Sequence, residues 1–258
     1  MSSIFRSLQQ LPDCCQIHSK AALCREDTEL SDHREIRIAV DESHSVSGLL
    51  QLPPQATACY VMAHGAGAGM THAFLSAVAD GLCRRRVATL RYQFPYMEQG
   101  SKRPDRPALA HATVRAAVGA AARLAPALPL FAGGKSFGGR MTSQAQAEAP
   151  LPGVRGLIFL GFPLHPANKP SDERALHLSR IRIPMLFLQG TRDALADMTL
   201  LAATVERLGD IATLIAIDGA DHSFHVPARS GRTDTQVLAD ALDALVTWIE
   251  SRRDHPGR

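Results

Sequence analysis

Ser136 stands in the stretch Gly134-Lys135-Ser136-Phe137-Gly138, after the apolar run Leu128–Gly133 and before a helix-compatible segment that starts at Gly139. A serine on a sharp turn between a strand and a helix is presented as a nucleophile, and that context gives a bare G-x-S-x-G match its chemical meaning. Such a turn holds the serine in strained backbone, usually at positive φ, and brings the chain before and after it together. The residues two before and two after must therefore lack bulk, as Gly134 and Gly138 do. The helix that follows would aim its free N–H groups and positive dipole end at the place where negative charge develops.

A serine hydroxyl is a poor nucleophile without a base, and the base needs a group to orient it. Ile183–Gln189 reads as a buried parallel strand, and Gly190-Thr-Arg-Asp193 follows it, which puts Asp193 at a strand's carboxyl end. The next apolar run, Ala212–Ile217, leads into Asp218-Gly-Ala-Asp-His222. The order is serine, acid, histidine, with enough chain between them for strand and helix units. Asp193 is preferred as the acid over Asp197, a helical turn further on, and over Asp221, which adjoins the histidine. His225 competes with His222 as the base, and the two at i, i+3 suggest a metal pair. No further ligand stands at a metal-binding spacing, so neither a metal nor a cofactor is expected.

Acyl transfer also needs donors for an oxyanion. The short strand Tyr60–Ala63 ends in His64-Gly65-Ala66-Gly67-Ala68-Gly69, whose small residues let backbone N–H groups approach a ligand. One donor is expected from Phe137, just after the nucleophile, and the other from Ala66 or Gly65. His64 is expected to brace its loop by hydrogen bonding. Lys135 and Arg140, flanking the elbow, are equally readable as structural ion-pair partners or as substrate contacts, and Phe94, Tyr96 and Met97 as pocket lining or as packing.

From about Glu35 to Trp248 the chain resembles the α/β-hydrolases, close to the dienelactone-hydrolase-like enzymes. The resemblance is carried by His64-Gly-Ala-Gly67, Arg91-Tyr-Gln-Phe-Pro-Tyr96, Gly133-Gly-Lys-Ser-Phe-Gly-Gly-Arg140 and Asp221-His-Ser-Phe224. These are similar to a branch of uncharacterised bacterial hydrolases with eukaryotic relatives in chromatin-associated complexes. The resemblance implies the fold and the triad positions, and almost nothing about the substrate. Besides a serine hydrolase acting on a carboxylic ester or related acyl compound, it leaves open a non-catalytic scaffold and a cofactor-free haloperoxidase or lyase.

The elements that must position these residues read as alternating strands and helices, hence an α/β fold with a mostly parallel sheet, helices on both faces and ligands at the carboxyl ends of the strands. Glu35–Val40 and Val46–Leu52 form an opening antiparallel pair. Thr71–Arg85 is a helix, Val87–Tyr92 a strand, Ala108–Leu124 an Ala-rich helix, Val154–Leu160 a strand and Leu195–Leu208 a helix. Leu238, Leu242, Leu245 and Ile249 give the stripe of a final helix. Between Gly161 and Arg182 the prolines and polar residues leave room for at most one short helix near Glu173–Leu178, so the cap is minimal. Residues 34–258 are read as the hydrolase domain, and residues 1–33, polar and without a steady period, as an N-terminal extension.

Of 258 residues, 45% are hydrophobic and 21% charged, as in ordinary globular proteins, and the net charge is only +3. That balance argues against nucleic acid as a partner and favours a small-molecule acyl substrate. Arg84-Arg85-Arg86 falls where a helix ends, where cations are favoured anyway. No apolar stretch approaches a membrane span and no secretory signal is visible. The cysteines, Cys14, Cys15, Cys24, Cys59 and Cys83, include no C-x-x-C pair, which points to a reduced, cytoplasmic protein.

Overall fold

The structure, a computed structural model, describes residues 33–253. The extension expected over 1–33, apart from His33, therefore lies outside the described residues, as do Cys14, Cys15 and Cys24.

Eight strands, β1 Arg34–Ala39, β2 Ser45–Gln51, β3 Ala58–Ala63, β4 Val87–Tyr92, β5 Leu130–Lys135, β6 Val154–Leu160, β7 Met185–Gly190 and β8 Ala212–Ile217, form one sheet in the order β1-β2-β4-β3-β5-β6-β7-β8. The first pair is antiparallel, β2 joins β4 antiparallel, and every pairing from β4 to β8 is parallel. Parallel strands covered on both faces need apolar residues at every position. In β3, Cys59, Val61 and Ala63 face one core while Ala58, Tyr60 and Met62 face the other. In β7, Met185 and Phe187 divide from Leu186 and Leu188 in the same way.

The first core packs under helices α3 Pro107–Leu124, α4 Phe137–Glu148 and α5 Met198–Leu208, and the second under α1 Ala73–Cys83 and α6 Asp234–Arg253. The expected stripe on α6 buries Leu242, Leu245 and Ile249, while Leu238 is only partly covered. The arginine run behaves as a helix end: Arg84 is the C-cap of α1, and Arg85 reaches Asp243 of α6 at 2.7 Å.

Two helix starts and one extra helix differ from expectation for local reasons. The helix after the elbow starts at Phe137 and not at Gly139, because Ser136 is itself the N-cap. α5 starts at Met198 and not at Leu195, because the Asp197 side chain accepts the Leu200 N–H at 2.9 Å and caps it there. A short helix, α2 Pro95–Glu98, was not expected at all; Pro95 opens it at a position proline favours. The cap segment carries only a 3₁₀ run, Glu173–Arg180, between β6 and β7.

Candidate active site

Ser136 sits between β5 and α4 at φ 50° and ψ −116°, the left-handed side that a non-glycine residue adopts only under constraint. Close approach to the end of β3 imposes it. A β-carbon on Gly134 would stand 2.2 Å from the Ala63 carbonyl oxygen, and one on Gly138 would stand 2.6 Å from the His64 carbonyl oxygen. Both glycines are steric requirements of the turn.

The expected acid and base follow the ends of β7 and β8. Asp193 follows β7, with its carboxylate fully buried. Its Oδ2 accepts from His222 Nδ1 at 2.6 Å and from Gln189 Nε2 at 2.6 Å, while Oδ1 accepts the Leu195 N–H at 2.8 Å. His222 lies on the loop after β8, with a quarter of its side chain exposed. Its position is tied to the elbow from two sides. The Ser136 N–H donates to the Leu160 carbonyl at 3.3 Å, and the His222 ring packs against the next residue, Gly161, where a β-carbon would come within 3.5 Å of it. With Nδ1 donating to the carboxylate, Nε2 is the ring nitrogen left to accept a proton.

The competing residues have other employment. Asp197 caps α5. Asp221 Oδ1 accepts the backbone N–H groups of Ser223 and His225 and closes their turn. His225 is exposed and pairs with Asp234 at 2.8 Å. Among the described residues no three His, Cys, Asp or Glu side chains converge as a metal site would require.

Phe137 opens α4, where an N–H has no intrahelical partner. Ala66 and Phe137 line one cavity of about 460 Å³ with Ser136. Gly65 is close too: a β-carbon on it would lie 3.8 Å from the Ser136 β-carbon, and its carbonyl, which accepts the Ala68 N–H and His64 Nδ1, holds the loop in place. The loop is braced from below. His64 is fully buried; its Nδ1 donates to the Gly65 carbonyl at 2.7 Å and its Nε2 accepts the Phe94 N–H at 3.1 Å. Burial pushes its pKa down to about 4, so the ring is the neutral tautomer that both bonds need. The Gly67 N–H donates to the Tyr96 hydroxyl at 3.0 Å and the Met70 N–H to Gln93 Oε1 at 2.8 Å.

The chain matches the family of alpha/beta hydrolase domains over residues 56–250. It belongs to the α/β-hydrolases. Solved structures show the same fold at low identity. A dienelactone hydrolase from Anabaena variabilis is 20% identical with a TM-score of 0.68, over 86% of this chain and 98% of that one. A serine hydrolase without lid from Xanthomonas campestris is 17% identical with a TM-score of 0.65, over 84% and 95%. The esterase domain of a Rhodothermus marinus protein is 14% identical with a TM-score of 0.66, over 86% and 99%.

In this α/β-hydrolase the flanking residues divide. Phe94 and Tyr96 are packing: both are buried, with ring centroids 5.4 and 6.4 Å from that of Phe137. Lys135, expected as an ion-pair partner or a substrate contact, forms no ion pair among the described residues. It is buried, its Nζ lies 5.6 Å from the ring centroids of Phe74 and Phe224, and it donates a short hydrogen bond to the His222 carbonyl oxygen. Burial lowers its pKa to about 8, against the opposing pull of Asp193 and Asp221. It pins the loop that carries the histidine. His165, in the cap segment, is buried; it donates to the Pro166 carbonyl at 2.8 Å and accepts the Asp197 N–H at 2.7 Å, fastening the cap segment to the loop of Asp193. Sequence reasoning missed Gln189, the second donor to Asp193, although its place at the end of an apolar strand was a signal: a buried amide there needs a partner.

Another serine and histidine are in direct side-chain contact. Ser143 Oγ lies 2.7 Å from His177 Nε2. Ser143 is fully buried inside α4, its hydroxyl also reaches the Arg140 carbonyl at 2.9 Å, and burial with Arg180 and Arg140 nearby pushes the His177 pKa down to about 4. Among the described residues no carboxylate orients that ring, Ser143 lies within α4 and not on a turn before it, and the pair packs α4 against the 3₁₀ segment.

Proposed function

We propose that the chain is a serine hydrolase that cleaves a carboxylic ester or related acyl compound through an acyl-enzyme. The observation that carries the reading is the 2.6 Å bond between His222 Nδ1 and the buried Asp193 carboxylate, beside a serine held at positive φ on its elbow. His222 Nε2 takes the Ser136 hydroxyl proton as Oγ bonds to the acyl carbon; the carbonyl oxygen, now charged, lies toward the N–H groups of Phe137 and Ala66. Collapse of this intermediate breaks the bond to the leaving group, which departs with the proton from Nε2. Water, deprotonated by the same nitrogen, then releases the acid and restores Ser136. Asp193 keeps the proton on Nδ1 and stabilises the transient imidazolium.

The short cap leaves the cavity open, which supports small or medium soluble acyl substrates. Among the described residues no helix is long and apolar enough to cross a membrane. The free, buried thiol of Cys59 fits a reducing, cytoplasmic setting. A panel of fluorogenic esters of graded acyl length tests the reading: wild type turns over the short members, and Ser136→Ala loses roughly 10⁴–10⁶ of that rate. Turnover that survives in Ser136→Ala overturns it.

A further inference from the structure

We propose that the cavity beside Ser136 takes a substrate bearing a carboxylate, held by Arg140 and Arg174; the proposal rests on Ser136 being the reacting residue. Arg140 lies one turn after Ser136 on α4 and lines the same cavity. Its Nε is fully buried and has no hydrogen-bond partner. Arg174, at the start of the 3₁₀ segment, lines the cavity from the cap side. Among the described residues neither guanidinium has a carboxylate partner within ion-pair distance.

Two cations facing one half-enclosed space with no carboxylate within ion-pair distance are unfavourable, and burial together with the Arg174 charge lowers the pKa of Arg140. Arginine forks match a planar carboxylate in two parallel bonds. The other charged group on the cavity is Asp105, whose Oδ2 is taken by the Tyr96 N–H at 3.1 Å. His111, near the cavity residue Gln144, is engaged by Glu148 and Gln144, and His177 by Ser143. Two guanidiniums against one carboxylate leave a single positive charge, which suits a monoanion better than a doubly charged phosphate.

The cavity volume is that of a small-molecule site, and Met141, Pro163 and Leu195 supply apolar wall for a short chain. One helical turn, about 6 Å of rise, separates Ser136 from Arg140, so a few methylenes would span from the reacting carbonyl to the carboxylate.

The test uses full-length Ser136→Ala protein, so that binding is read without turnover. Isothermal titration compares monomethyl glutarate, an anion, with dimethyl glutarate, its neutral counterpart. The anion is expected to bind about tenfold more tightly or better, as charge-assisted hydrogen bonds allow. Adding Arg140→Gln and Arg174→Gln should remove that advantage. Where the triple variant does not fold, Ser136→Ala with Arg174→Gln alone should reduce it several-fold, since Arg174 sits on a surface segment. Equal binding of the two esters, or an advantage that survives loss of the guanidiniums, overturns the proposal. Failure of wild type to cleave p-nitrophenyl butyrate would count against the acyl-transfer reading alone.

Discussion

Replacing Asp193 by Asn removes one charge and adds one hydrogen-bond donor in a place where all the neighbours are donors. The carboxylate receives Gln189 Nε2 and His222 Nδ1 on one oxygen and the Leu195 N–H on the other. Gln189 cannot turn its amide to compensate, because its Oε1 accepts the Phe162 N–H at 2.8 Å. If the asparagine oxygen faces Leu195, its NH₂ meets Gln189 and forces His222 to accept at Nδ1. The proton then sits on Nε2, which can no longer take one from Ser136. If the amide is reversed, its NH₂ opposes the Leu195 N–H instead. In both arrangements the negative charge that stabilises the imidazolium is gone. The expected loss in kcat/KM is about 10³–10⁴, or roughly 4–5.5 kcal/mol of transition-state stabilisation. One buried donor left unpaired costs about 1–3 kcal/mol of stability, so Tm should fall by a few degrees to about ten. The assay is p-nitrophenyl acetate hydrolysis with thermal melts alongside, and with Asp197→Asn and Asp221→Asn for comparison. Asp193→Asn retaining more than a tenth of wild-type kcat/KM, or Asp221→Asn proving the more damaging, would refute the reasoning.

Lys135→Met keeps the packing against Phe74 and Phe224 and removes the bond to the His222 carbonyl, so kcat is expected to fall about tenfold or more with KM little changed; steady-state kinetics reporting the opposite split would show that Lys135 contacts substrate. His64 is held neutral in the fold, so on acidification the unfolded chain takes up its proton first. Stability should fall between about pH 6.5 and 4 by up to about 3 kcal/mol from His64, with His177 adding in the same direction, and level off below. Denaturant midpoints across this window check the sign, and His64→Gln should flatten the slope. With so short a cap, p-nitrophenyl acetate or butyrate should be cleaved faster than long-chain esters and without interfacial activation; a preference for palmitate-length chains would contradict the open site.

The sheet was legible because its central strands are mainly apolar runs buried on both faces: Val87–Tyr92 and Val154–Leu160 lie where the sequence places them, as does the half-buried edge strand Ala212–Ile217. The placement of Ser136, Asp193 and His222 just after strands was legible for a related reason, since each follows an apolar run and the fold brings the carboxyl ends of parallel strands to one side. Helix starts were less so: α5 depends on which of several acidic residues caps it, and α2 on a proline in an aromatic stretch that reads equally as pocket or core. The polar supports were the least visible. Lys135 to His222, Gln189 to Phe162 and His165 to Asp197 join residues 87, 27 and 32 positions apart. Which lysine or histidine finds a partner depends on packing that no local pattern encodes. Arg140 was recognisable as flanking the elbow, but its orphaned Nε emerges only when α4, the cap and the oxyanion loop are assembled around it.

Fluorophosphonate labelling followed by intact-mass measurement and peptide mapping tests the central claim most directly, because the probe reports an activated serine whatever the natural substrate. Wild-type protein should take up one equivalent, mapped to the peptide carrying Gly134-Lys-Ser136-Phe-Gly138, and Ser136→Ala should take up none, while Ser143→Ala labels as wild type does. An adduct that persists in Ser136→Ala, or that maps to Ser143 or another residue, or wild-type protein that stays unlabelled, would contradict the assignment of Ser136 as the nucleophile of an acyl-transfer triad.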